Sequence, residues 1–442
     1  MLLVGNGRLI TRHDEQPYLK DGCVAIRENL IVEVGTTSEL KAKYPEASFL
    51  DAEGKLIMPG LINTHMHLYS TFARGMALKD AAPANFQEIL ERLWWRLDKK
   101  LTLEDVYYSA LAPLIDCVKN GTTTIFDHHA SPGAVKDSLF TIAKAAEEIG
   151  VRSCLCYEVS DRDGSEVADL GIRENVEFIK YCQQQNNPML AGMFGLHASF
   201  TISDKTLTRC CAENSSLGTG FHIHTAEGME DVNDSIKLYG KRVVERLADF
   251  GILGSNTIAV HCVHINEREI ALLKESGTRV VHNPESNMGN AVGCAPVIKM
   301  FQEGVNLGLG TDGYTADMFE SLKVANILHK HQLGNPGVGW VEAPAMLFAN
   351  NTEIAGQYFQ RPMGKLVPGA FADMIIVNYD PPTPMLPSNL DSHIIFGISG
   401  PLVDTTIING QVVMWNRCLE GIDEERIKAR SRELATRVWK DF

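Results

Sequence analysis

No apolar run in the chain approaches the roughly 18 residues that a membrane-spanning helix needs, so no transmembrane segment is expected. The opening Met1-Leu-Leu-Val-Gly-Asn6 lacks a basic stretch followed by a long apolar one, so no signal peptide is read there. Blocks of lysine and arginine are missing too. With a net charge of −14, neither nucleic acid nor an anionic membrane surface is an expected partner. The acidity serves solubility. None of the ten cysteines forms a Cys-x-x-Cys pair. Cys210 and Cys211 are adjacent, which disfavours a bridge between them. The simplest reading is a set of reduced thiols in a cytoplasmic protein. Internal repeats and low-complexity segments are absent, and residues 380–387 read as a Pro-rich surface loop.

What is present fits an α/β architecture. A chain of 442 residues exceeds one average domain and suits a large barrel with a smaller satellite. Residues 1–56 read as short strands and turns; Val24-Ala-Ile26 and Leu30-Ile-Val-Glu-Val34 flank Arg27-Glu-Asn29, a hairpin signal. From Ile57 short apolar strands alternate with stretches of helical periodicity, the mark of βα units and a parallel sheet. Strands are predicted at 57–67, 122–128, 151–158, 190–197, 220–227, 257–263, 279–283 and 305–312, with helices such as 103–119 and 135–149 between them. Eight such units in about 250 residues match a closed (β/α)8 TIM-type barrel, here spanning 57–363. Strand character returns over 364–442, before a last helix near 424–440. The two β-rich ends are expected to form one small composite β-sandwich.

Four motifs fall at the carboxyl ends of predicted strands, where such a barrel places its chemistry. His65-Met-His67 ends the first strand, and residues two apart on a strand point the same way, so both imidazoles can meet one cation. His222-Ile-His224-Thr-Ala-Glu227 ends the fifth. His224 is a third ligand candidate, Glu227 can face an activated water, and His222 is a supporting or packing residue. His261-Cys-Val-His264 ends the sixth, with His261 pointing inward and His264 in the loop. Asp312 ends the apolar run of the eighth strand, where a carboxylate needs a partner or serves as a helix cap. Three imidazoles and one carboxylate suit zinc, with iron and manganese as alternatives. An open coordination position lowers the pKa of a bound water toward about 7.

These motifs resemble the amidohydrolase superfamily. The likeness is carried by Lys55-Leu-Ile-Met-Pro-Gly-Leu-Ile-Asn-Thr-His-Met-His67, Asn120-Gly-Thr-Thr-Thr124, His224-Thr-Ala-Glu227, Ala259-Val-His-Cys-Val-His264, His282-Asn-Pro284, Leu309-Gly-Thr-Asp-Gly313 and Gly364-Lys-Leu-Val-Pro-Gly-Ala-Phe-Ala-Asp-Met374. Within it the chain is similar to the branch of guanine deaminase, S-adenosylhomocysteine deaminase and the triazine chlorohydrolases. On Asp127-His-His-Ala-Ser-Pro132 and Gly195-Leu-His-Ala-Ser-Phe200 it is nearest to the SsnA-type aminohydrolases.

The resemblance implies one divalent metal, Zn2+ first and Fe2+ or Mn2+ next, held by His65, His67, His224 and Asp312. Glu227 is then the proton shuttle, and His261 orients water or stabilises developing charge. The fourth strand ends Phe194-Gly-Leu-His-Ala-Ser199, without the lysine that bridges two metals in binuclear members. Expected chemistry is deamination of a purine-like or other nitrogen heterocycle by a metal-bound hydroxide. Opening of a cyclic amide or amidine, as in imidazolonepropionase-like relatives, is the alternative. Dechlorination and a non-catalytic metal scaffold rank lower. Substrate-contact candidates are His128, His129, His197, His282 and Arg74, the last equally suited to a structural salt bridge. Trp94 and Trp95, on a helical stretch over 86–97, either stack on a ring or pack internally. The expected partners are a small nitrogenous substrate and, by family habit, a second copy in a homodimer.

Overall fold

The computed structural model describes every residue of the chain except 441. Leu56–Pro59 is the seam between the two ends of the chain. It runs parallel to Leu2–Ile10 and antiparallel to Met374–Val377. Around it lies one nine-stranded sheet, with Tyr18–Arg27 and Leu30–Thr36 on one side and Val403–Ile408, Gln411–Trp415 and Cys418–Leu419 on the other. Residues from both ends share a core that includes Val4, Ile26, Ile57, Met374 and Ile407.

The remaining strands are parallel and form the barrel. In order they are Leu61–Met66, Thr122–His129, Arg152–Tyr157, the pair Leu190–Gly192 and Phe194–Ala198, then Phe221–Thr225, Ile258–His261, Arg279–His282 and Leu307–Leu309. They make a four-stranded and a five-stranded sheet. Two parallel bridges close these into a barrel: Val159 with Leu196 between the third and fourth strands, and Met66 with Asp312 between the eighth and the first. Strand positions follow the apolar runs because both faces are buried, one by barrel-filling side chains and one by helices. The helix Leu103–Lys119 starts on a capping box of Thr102 and Asp105, which ties its first turn to its own side chains.

Three elements are broken where the sequence reads them as continuous. The strand read over 57–67 is two strands in two different sheets, broken at Gly60. The Gly60 N–H donates to Asp373 O of the terminal sheet, and the next N–H, of Leu61, donates to Gly121 O beside the barrel. A Cβ on residue 60 would lie 2.2 Å from Thr123 Cγ2, so only glycine lets the chain cross there. The fourth strand is interrupted at Met193. The helix over 86–97 contains a π-turn, Leu90–Trp94, between Phe86–Ile89 and Trp95–Lys100. Such a bulge is frequent where a helix lines a functional site.

A buried ion pair joins the barrel to the terminal sheet. Arg152 in the third strand bonds both carboxylate oxygens of Asp373 at 3.0 Å, with the two side chains 0% and 3% exposed. Asp373 also accepts the Asn409 N–H at 2.7 Å. Asp373→Ala leaves a guanidinium buried without its counter-charge and is expected to cost about 3–5 kcal/mol. Denaturant unfolding checks this; a midpoint within error of the parent would show the pair to be dispensable. Among the described residues no helix is long and apolar enough to cross a membrane. All ten cysteines are free thiols.

Candidate functional site

The carboxyl ends of the barrel strands bring the predicted imidazoles together. His67 donates from Nδ1 to the His128 carbonyl at 2.5 Å, and His224 donates from Nδ1 to the His197 carbonyl at 3.0 Å. Burial pushes both rings toward the neutral form. A neutral imidazole that donates from Nδ1 carries a lone pair on Nε2, and these two Nε2 atoms face each other at 3.2 Å. His65 completes the group. Its Nδ1 lies 2.9 Å from His222 Nε2, while its own Nε2 is buried with no partner. Three lone pairs converge on one point, which is costly without a cation and is the usual preparation of histidine ligands by outer hydrogen bonds.

Asp312 reaches the same point from the eighth strand. Its Oδ1 lies 3.3 Å from His67 Nε2. Barrel closure fixes it, because the N–H groups of Thr311 and Asp312 both donate to the His65 carbonyl. A Cβ on Gly310 would sit 2.5 Å from Asn283 Oδ1, so the close approach of the strands needs a glycine. Ser286 Oγ and the Gly313 N–H donate to the carboxylate, each at 2.6 Å. Burial opposes its ionisation, yet His67, His261 and these donors hold it below the usual carboxylate range. The role of helix cap falls to Asp317, not Asp312. His65, His67 and His224 form one group able to hold a metal, and His65, His261 and Asp312 form another.

Glu227 and His261 stand beside this set. His261 Nδ1 lies 2.8 Å from Asn287 Oδ1, and its Nε2 has no hydrogen-bond partner but faces Glu227 Oε2 at 3.4 Å and Asp312 Oδ2 at 3.7 Å. With Nδ1 donating to Asn287 and burial pushing the ring toward its neutral form, Nε2 carries a lone pair that can accept from a water or from the Glu227 carboxyl. Burial, and then the charge of Asp312, push the Glu227 carboxyl well above its ordinary range. One carboxyl is thus disposed to hold a proton and its neighbour to give one up, a division of labour suited to acid–base chemistry. Ala226, His261, Cys262 and Asp312 all have φ between +47° and +71°, backbone strain of the kind that clusters at functional sites.

The substrate-contact candidates separate. His197 lines the cleft above the imidazoles. His128 is fully buried beneath it; Nε2 donates to the carbonyls of Leu196 and His222, and Nδ1 lies 3.2 Å from Glu158 Oε2. It lies beneath the cleft wall, against Glu158 and with its ring 4.5 Å from that of His224. His129 bonds Ser131 and packs edge-on to Tyr69. His282 packs on His329 with ring centroids 5.0 Å apart. Neither lines the cleft, because each ring points into packed protein. Arg74 pairs with Asp116 at the surface, at 2.9 Å, so it is the structural salt bridge and not a wall of the site. Trp94 and Trp95 both line the cleft.

Sequence reasoning missed Glu158, Ser286, Asn287 and Asn290. Glu158 ends the third strand as Asp312 ends the eighth, and the same rule of a carboxylate closing an apolar strand points to it. Burial alone would raise its pKa, but His197, His128 and Arg162 bring it down to about 2. The other three sit on or beside a short helix, Pro284–Gly289, whose start the motif His282-Asn-Pro284 already marks.

Comparison with known proteins adds the family. The model of the amidohydrolase family matches residues 56–413, and that of an imidazolonepropionase-like composite domain of bacteria matches residues 22–47. The chain is 33% identical over 441 residues to a 5'-deoxyadenosine deaminase of Methanosarcina acetivorans, covering 98% of this chain and 97% of the relative. It is 33% identical over 446 residues to a 5-methylthioadenosine/S-adenosylhomocysteine deaminase of Syntrophomonas wolfei, covering 99% of each. The crystal structure of an adenosine deaminase from Xanthomonas campestris with bound zinc superposes with a TM-score of 0.88 at 24% identity, covering 99% of this chain and 98% of that one. With a family match over most of the barrel and relatives aligned end to end, the chain belongs to the amidohydrolase family.

Proposed function

We propose that this protein is a metal-dependent aminohydrolase that releases ammonia from the exocyclic amine of an adenosine-type nucleoside or a similar aminated ring. One observation carries the reading: the facing Nε2 lone pairs of His67 and His224, 3.2 Å apart, beside a carboxyl that burial pushes toward its protonated form. The deaminase relatives support the choice of an aminopurine. Opening of a cyclic amide is not favoured, since the imidazolonepropionase-like match lies in the terminal sheet, away from the cleft.

His65, His67, His224 and Asp312 would hold a single divalent ion, zinc first and iron or manganese next, which would supply the Lewis acidity that makes water a nucleophile near neutral pH. Asp312 accepts the proton that the attacking water gives up. Glu227 passes its proton to the ring nitrogen next to the aminated carbon, which makes that carbon electrophilic. His261 orients the attacking water by accepting from it at Nε2. A proton then returns to the amine, the C–N bond breaks, and ammonia leaves. His197 and the aromatic walls hold the ring, Trp94 and Trp95 by stacking.

Reduced thiols support a cytoplasmic setting, and the chemistry suits purine breakdown. A homodimer is proposed from family likeness, to be read by light scattering. The reaction is tested by ammonia release from adenosine, 5'-deoxyadenosine, 5-methylthioadenosine and guanine, with zinc, iron and manganese supplied in turn. At least one purine is expected to reach a kcat/KM of about 10⁴ M⁻¹s⁻¹ or more. Ammonia from none of them, with every metal tried, would refute the reading.

A further inference from the structure

Asn290 closes the short helix Pro284–Gly289 at the wall of the cleft. It is buried, and its side chain is bonded on three sides. The amide nitrogen lies 3.2 Å from Ser286 Oγ and 3.4 Å from Glu227 Oε1, and Oδ1 accepts from the Tyr314 hydroxyl at 3.2 Å. Tyr314 reaches it only across a glycine, since a Cβ on residue 289 would lie 2.2 Å from the tyrosine oxygen. The same segment carries Ser286 to Asp312 and Asn287 to His261. All three groups given a proton or a water to handle are thus held from one short stretch of chain.

The direction of these bonds follows from the donors and acceptors available. A carboxylate that ligates a cation carries no hydrogen, so Ser286 spends its single hydroxyl hydrogen on Asp312 Oδ2, 2.6 Å away. Ser286 then has only lone pairs left for Asn290, and the Asn290 atom that faces it must be the donor, Nδ2. The Tyr314 hydroxyl, donating to Oδ1, holds the amide the same way round. The second hydrogen on Nδ2 falls to Glu227 Oε1, which accepts it. A protonated carboxyl accepts at its carbonyl oxygen. Its proton therefore sits on Oε2, the oxygen that faces His261 Nε2 at 3.4 Å.

Resting on the proton-shuttle role given to Glu227 above, we propose that Asn290 is a positioning residue that fixes the Glu227 proton on Oε2. Its hydrogen bond to Oε1 keeps the carboxyl from turning its hydroxyl toward the Pro284–Gly289 helix. The proton is then offered on the side of His261 and the imidazole set, where the reacting carbon has to lie.

The test uses the zinc-loaded enzyme and a purine that it deaminates. Asn290→Ala is expected to lower kcat about tenfold, the order of one lost hydrogen bond, with KM and metal content at the parent values. Asn290→Asp keeps the shape of the side chain but sets lone pairs against Ser286 and Glu227. It should lose more than Asn290→Ala, whereas a role in packing alone gives the reverse order. In a Glu227→Gln background Asn290→Ala should change kcat by about twofold or less, because the residue acts through a proton that is no longer there. A loss confined to KM, the reverse order of the two variants, or losses that multiply in the double variant overturns the proposal. If no purine is deaminated, the reaction proposed above falls, and infrared spectroscopy still decides the role of Asn290. The difference spectrum between the zinc-loaded parent and Glu227→Gln should hold the C=O band of a protonated carboxyl. That band should move to higher frequency in Asn290→Ala, as the carbonyl oxygen loses its donor. A missing band, or one that stays in place, overturns the proposal.

Discussion

Glu227→Gln is expected to lower kcat by about three orders of magnitude, within the range that a positioned general acid contributes, while metal content stays at the parent value. Glutamine keeps the size of the side chain and its contact with Asn290, which lies 3.4 Å from Oε1. It cannot deliver a proton. The loss should therefore appear in kcat, with little change in KM, as for an interaction used only in the transition state. Metal analysis of the variant alongside steady-state kinetics checks both halves. A variant that turns over at the parent rate would remove Glu227 from the mechanism.

Stripping the metal is the second large effect. Chelation is expected to abolish measurable turnover and to lower the melting temperature, both restored by adding back zinc. The stability loss follows from linkage and is about 4 kcal/mol where free metal exceeds its Kd a thousandfold. It has a structural cause, since the ring nitrogens of His65, His67 and His224 are left close together without a cation at the buried floor of the cleft. His67→Ala should fail to retain the ion and should match the stripped parent in activity. Full turnover by protein shown to be metal-free would end the metal-dependent reading.

The ligand group was legible because its signal is periodic. A histidine at every second position of a strand end, and an aspartate closing an apolar run, can be read without a structure. The substrate wall was not. Arg74 follows the first strand as a candidate should, but Asp116 lies across from it on a neighbouring helix. His129 and His282 end strands yet turn into packed protein. Which way a loop carries such a residue depends on partners far away in sequence. Glu158 shows the converse. Its state is set by His197 and His128, which are close to it only in the fold, together with Arg162. The break at Gly60 was hidden as well, since Leu56–Pro59 and Leu61–Met66 are equally apolar and part company only because they bond to different sheets.

That seam at Leu56–Pro59 has a consequence for the order of events during synthesis. Its neighbour Met374–Val377 leaves the ribosome more than 300 residues later, and Asp373, the counter-ion of Arg152, arrives with it. Until then a nascent barrel carries an unpaired guanidinium and an open strand edge, both invitations to aggregate. Completion is thus a late, long-range step, and a chain halted near residue 363 should be retained by chaperones or degraded instead of accumulating as a free-standing barrel.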